Sequence, residues 1–146
     1  MQDVSSVDKN FKIETNLNKP GIKFYDVNEA PFKIYGVYYH EGLFRRLPEE
    51  VAKATNGGVH ALHCHTAGGR VRFRTDSPYI AINAKMPAIG KMPHFALTGS
   101  AGFDMYERLE DGEERYVKSF VPPFNISQGY ESVIELDGGK IHDITI

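Results

Sequence analysis

An all-β sandwich of antiparallel strands with one short helix is the fold class this sequence predicts. Three observations carry it. Gly68-Gly-Arg-Val-Arg-Phe-Arg-Thr75 alternates, with Arg70, Arg72 and Arg74 on one face and Val71 and Phe73 on the other. That period of two marks a strand with one buried face. Alternating stretches rich in aromatic and β-branched residues recur along most of the chain, a composition that favours strands. Only Leu47-Pro-Glu-Glu-Val-Ala-Lys-Ala-Thr55 carries helix signals.

The 146 residues predict a polar N-terminal arm over 1–10 and one β-sandwich domain over 11–146. Apolar content of 41% and charged content of 25% place the chain among ordinary globular proteins. Seventeen basic and 19 acidic side chains leave a formal charge of −2, which argues against nucleic acid as a partner. Cys64, the only cysteine, has no internal partner for a disulfide. No run of about 20 apolar residues exists to span a membrane. The start, Met1-Gln-Asp-Val-Ser-Ser-Val-Asp8, lacks a signal-peptide pattern; with Met1 native, the chain is expected in the cytoplasm.

Taken in order, Phe11-Lys-Ile-Glu14 alternates and Asn18-Lys-Pro-Gly21 is turn chemistry. Ile22–Val27 is expected as an edge strand and Phe32–Tyr39 as a second strand. In the helix, Pro48 suits the first helical position, Glu49 and Glu50 the first turn, and Asn56-Gly-Gly58 the stop. Two turns need a sheet to rest on. Val59–Ala67 reads as a strand with His63 and His65 on one side. The arginine strand then follows, and Thr75-Asp-Ser-Pro78 is expected to fold Tyr79–Met86 back on it as a hairpin.

Phe95–Thr98 is short and apolar, and Gly99-Ser-Ala-Gly102 a bend. Phe103–Leu109 and Glu113–Phe120 form a hairpin whose register the charges decide. A two-residue turn would set Arg108 opposite Arg115. The three-residue loop Glu110-Asp111-Gly112 sets Arg108 opposite Glu114, Glu107 opposite Arg115 and Tyr106 opposite Tyr116. Such pairs favour pairing by about 0.2–1 kcal/mol each, so the three-residue loop is expected, with Gly112 left-handed. Pro122-Pro123 ends the strand. Ser132–Leu136 and Ile141–Ile146 are expected as a last hairpin, and the chain reads as truncated after Ile146.

Four groups of residues were weighed for chemistry. His63 and His65 on one strand face, with His60 close by, could chelate Zn²⁺ given a third ligand. The plainer alternative is surface histidines above a buried Cys64; no acidic or cysteine partner stands at metal-site spacing. A serine nucleophile finds no motif: Asn125-Ile-Ser-Gln-Gly129 has Asn where the elbow needs Gly. The expectation is therefore no catalytic residue and no cofactor.

Arg70, Arg72 and Arg74, spaced about 7 Å apart on one face, suit a carboxylate or phosphate on a ligand or partner. Pairing with acidic side chains of the domain is the alternative. In Gly102-Phe-Asp-Met-Tyr106, Asp104 and Tyr106 share the face opposite Phe103 and Met105, and Asp104 is expected to hold one arginine.

Gly102-Phe-Asp-Met-Tyr106 resembles the Gly-x-Asp-Leu-Tyr motif, with Met for Leu. That motif marks a β-sandwich domain found ahead of the catalytic domain in one group of SGNH (GDSL-type) lipases and acylhydrolases. Arg70–Ile82 and Leu47-Pro-Glu-Glu-Val-Ala52 are similar to that domain too, and the resemblance covers residues 22–146. It implies a jelly-roll-like sandwich, similar to carbohydrate-binding modules, that docks on a missing C-terminal SGNH hydrolase domain and shapes substrate access, with acylated carbohydrate as a substrate class. The family's Gly-Asp-Ser and Asp-x-x-His blocks are absent, so no catalytic residue carries over. Arg70, Arg72, Arg74, Asp104 and Tyr106 are the binding or domain-interface candidates. An independent carbohydrate-binding module and a small cupin-like metal enzyme are the alternatives.

Overall fold

A computed structural model describes residues 14–146. The expected arm and the start of the Phe11–Glu14 alternation lie outside the described residues. In chain order the elements are β1 (Lys33–Tyr35), β2 (Tyr38–His40), β3 (Leu43–Arg45), α1 (Glu49–Thr55), α2 (Gly57–Leu62), β4 (Arg70–Thr75), β5 (Tyr79–Lys85), α3 (Leu97–Ala101), β6 (Phe103–Arg108), β7 (Glu114–Phe120), β8 (Gly129–Glu135) and β9 (His142–Thr145). The class is all-β and antiparallel as expected, with three short helices rather than one. The described residues form two compact units, 26–73 with 145–146, and 14–25 with 74–144.

In the 26–73 unit, β1 pairs antiparallel with β4 through Lys33↔Arg72, Ile34↔Val71 and Tyr35↔Arg70. On its other side Val71 exchanges both backbone hydrogen bonds with Ile146, at 2.8 and 2.9 Å. The strand expected over 32–39 is broken. Gly36 has φ +76°, and a Cβ there would lie 2.7 Å from the Gly68 carbonyl oxygen; the chain turns there and restarts as β2, paired with β3. The segment 22–27, expected as an edge strand, forms none.

Helix α1 begins at Glu49 behind Pro48, with Glu49 and Glu50 in its first turn and Ala52 fully buried. Asn56 then acts differently from the expected stop. Its side chain accepts from Val59 N at 2.9 Å and so caps a second helix, α2. The strand expected over 59–67 is thereby replaced by a helix and a turn.

In the other unit, the β6–β7 hairpin has the expected register: Tyr106↔Tyr116, Glu107↔Arg115 and Arg108↔Glu114. Leu109 N donates to Glu113 O at 2.8 Å, which leaves residues 110–112 as the loop, and Gly112 is left-handed at φ +89°. A shift between Met105 and Tyr106, which face Lys118 and Tyr116, makes Val117 the extra residue of a bulge.

Strand β5 does not fold back on β4. It pairs with β8 over seven positions, from Tyr79↔Glu135 to Lys85↔Gly129. Nor does the 137–140 turn close β8 onto β9; β9 lies beside β6. Both expected hairpins are corrected: local turn chemistry sends each chain to a strand distant in sequence. Ile80, Met105, Phe120, Ile126, Tyr130, Ile134 and Ile144 are the buried apolar side chains here. Burying each large one contributes roughly 1.5–3 kcal/mol. The Tyr130 hydroxyl donates to Phe120 O at 2.7 Å, tying β8 to β7. Leu97–Ala101, expected as a strand end and a bend, is the helical turn α3.

Candidate functional site

The Gly102–Tyr106 motif begins where α3 hands the chain to β6. Gly102 N donates to Thr98 O at 2.8 Å, and a Cβ on Gly102 would lie 2.4 Å from that oxygen. Beyond it the strand alternates. Phe103 and Met105 turn inward, and Met105 is fully buried; Asp104 and Tyr106 turn to the other face.

Asp104 stands directly opposite Ser119, whose hydroxyl donates to the Asp104 carboxylate. The same Ser119 Oγ lies 2.9 Å from the Tyr116 hydroxyl, which is therefore placed to donate to it. The Tyr116 ring meets Tyr106 edge-on at 5.8 Å between centroids. The motif face is thus an exposed chain of phenol, hydroxyl and carboxylate beside two aromatic rings. Ser119 is partnered by a carboxylate and a phenol, not by the imidazole base that activates a serine. The arrangement suits hydrogen bonding to hydroxyl-bearing groups rather than acyl transfer.

The arginine ladder is organised by an aromatic ring. Arg70 and Arg72 place their guanidinium carbons 6.0 and 5.8 Å from the centre of Tyr35 on β1, within cation–π range. Arg74 is exposed and has no hydrogen-bond or ion-pair partner among the described residues. Asp104, expected to hold one of these arginines, has Ser119 as its partner.

His60 and His63 sit on and just after α2, with rings stacked at 5.3 Å. The expected strand face shared by His63 and His65 does not exist, because this stretch is helical. His63 Nδ1 donates to His60 O at 2.6 Å, so Nε2 is the acceptor, 3.1 Å from the Arg45 guanidinium and 3.3 Å from Cys64 Sγ. Buried Arg45 also reaches Glu49 at 3.2 Å. The Lys53 ammonium, by hydrogen bond and charge, and then Arg45 hold the Glu49 carboxyl down to about 2. A guanidinium beside Nε2 opposes a metal cation there. Among the described residues no three His, Cys, Asp or Glu side chains converge on a metal position.

One cluster escaped the sequence reading. Glu107 on β6 faces Arg115 at 2.7 Å, Lys140 at 3.4 Å and His142 Nδ1 at 2.7 Å. His142 is 3% exposed, and its Nε2 lies 2.9 Å from Asp137 O. The hydrogen bond from His142, then those from Arg115 and the charge of Lys140, hold the Glu107 carboxyl below its ordinary value against the effect of burial. These residues line a shallow cleft of about 340 Å³ with Tyr116, Glu135 and Leu136. The Glu107–Arg115 half was readable from the hairpin register. His142 was not, because nothing local places β9 beside β6.

An antiparallel β-domain carrying a Gly-x-Asp-x-Tyr strand is the class that fold and site define. Residues 22–141 match the family described as "GxDLY: N-terminus of Esterase_SGNH_hydro-type", and the chain belongs to that family. A crystal structure of a "putative GDSL-like lipase" from Bacteroides ovatus ATCC 8483 is similar, with a TM-score of 0.64 and 22% identity over 77% of this chain. At that identity the likeness speaks for the fold alone. The chain spans about a third (33%) of that protein's length. A comparison with curated proteins finds no match. No helix among the described residues is long and apolar enough to cross a membrane.

Proposed function

We propose that this chain is the ancillary N-terminal domain of a larger SGNH-type ester hydrolase. It docks on the hydrolase domain and shapes substrate access, and bond breaking belongs to the other domain. The observation that carries this reading is the Asp104–Ser119–Tyr116 chain on the strand bearing the family motif. It offers hydrogen-bonding groups and aromatic edges on an open surface, and Ser119 has no imidazole beside it. Acylated carbohydrate is the substrate class assigned, since phenolic rings with polar tips suit both the faces and the hydroxyls of a sugar. Asp104 and Tyr106 serve this face; Arg70, Arg72 and Arg74 are the further contact candidates, with Arg74 the most available.

An ester-hydrolysis assay tests the division of labour. With p-nitrophenyl acetate, this chain alone is expected at the uncatalysed rate and the parent protein well above it. Turnover by the chain alone that Ser119→Ala abolishes would refute the proposal. A second reading, a module that binds carbohydrate by itself, draws on the exposed Tyr116 ring, 55% accessible. Saturable binding of this chain to a glycan, lost in Tyr116→Ala, would favour it.

A further inference from the structure

We infer that the loop 121–128, with Phe124 at its tip, is the element that seats this domain in an apolar recess of the hydrolase domain, rimmed by carboxylate or carbonyl oxygens. The inference rests on the ancillary-domain reading above. Phe124 is 92% exposed, far beyond the other large apolar side chains described. A single exposed apolar residue is ordinary; this one is held in place. Pro122 and Ile126 on either side of it are buried, and Ile126 N closes on Pro123 O at 3.0 Å. Lys91 Nζ donates to Phe124 O at 3.0 Å and stands 5.9 Å from the centre of the ring. The loop is pinned at its base, and the ring projects from it.

The chain neighbours of this pinned pair are also apolar and open: Val121 is 60% exposed and Met92 44%. An aromatic group fixed before docking gives up little further freedom on binding, and such rings are typical interface anchors. The similar structure carries this fold in only 33% of its length, so a tethered partner is the occupant in reach. Tethering replaces bulk concentration with an effective one of about millimolar order for short flexible linkers. Lys91, charged and beside the ring, sets the chemistry of the rim: oxygen acceptors, not cations.

The test uses the full-length parent protein with p-benzoylphenylalanine placed at position 124 and, in a control, at Tyr39. Irradiation is expected to link position 124 to hydrolase-domain peptides of the same molecule, in a yield independent of protein concentration. Links from position 39 but not 124 would overturn the choice of this loop and leave the ancillary reading standing. No link from either position, with an extended two-domain particle in small-angle scattering, would overturn both. Links only to a second copy, rising with concentration, or only to added phosphatidylcholine vesicles, would overturn the assignment of the occupant. Phe124→Ser removes a side chain with almost no contact inside this domain. It is expected to raise the parent's radius of gyration while leaving this domain folded by circular dichroism; an unchanged radius would contradict the inference.

Discussion

His142 Nδ1 lies 2.7 Å from Glu107 Oε1, and the opposite ring nitrogen lies 2.9 Å from Asp137 O. Both partners are acceptors, so the ring fills both contacts only when each nitrogen carries hydrogen. One buried imidazole thereby joins β9, β6 and the 137–141 turn. Arg115 and Lys140 complete the surroundings of the carboxylate.

The direction of the Glu107 shift fixes an acid dependence. Its folded-state pKa is lowered, so its contribution is full above the unfolded value of about 4.3 and is lost as pH falls through the lower folded value. Glu107→Gln is expected to cost about 1–3 kcal/mol at neutral pH and to flatten the stability profile below about pH 4.3. Urea midpoints between neutral pH and pH 3 measure this. Equal acid sensitivity in both proteins would contradict it.

Tyr130 makes the corresponding alkaline prediction. Burial pushes its phenol up to about 12, and its hydroxyl donates to Phe120 O. A raised pKa gives stability that is full below the unfolded value of about 10 and is lost as pH rises through the folded value. Tyr130→Phe is expected to cost about 1–3 kcal/mol by leaving a buried carbonyl without its donor. In wild type, one of the eight tyrosines should ionise late in an absorbance titration, and that step should vanish in the variant.

Asn56 decides whether residues 57–62 are helical. Asn56→Ala is expected to cost about 1 kcal/mol and to raise amide exchange at Val59, whose N–H loses its cap. Unchanged exchange there would show that α2 holds without Asn56.

What the sequence reading captured is local. Alternation marked β4 and β5, and the opposite charges of Glu107 and Arg115 settled the register of β6 on β7. Failures came where a partner is distant. Thr75–Pro78 has all the features of a tight turn, since Ser77 N donates to Thr75 Oγ1 and Ser77 Oγ to Tyr79 O. Those bonds turn the chain without saying which strand will receive it. At Asn56 the same side chain suits a helix end and a helix start, and the acceptor geometry at Val59 N chose the start. The motif face was half legible. Asp104 and Tyr106 follow from alternation, and Tyr116 from the register. Ser119 falls opposite Asp104 only because the bulge at Val117 shifts the register by one, and no residue pattern announces a bulge.

Substrate discrimination by the parent protein tests the central claim most directly. The quantity is kcat/KM for an acylated carbohydrate divided by that for p-nitrophenyl acetate, compared between wild type and the Asp104→Ala, Tyr106→Ala double variant. The account predicts a fall of roughly tenfold in this ratio, through KM, as expected for losing one or two hydrogen bonds of about 0.5–1.5 kcal/mol each, with turnover of the small ester unchanged. An unchanged ratio in a folded variant, or an equal loss on both esters through kcat, would contradict a role in substrate access.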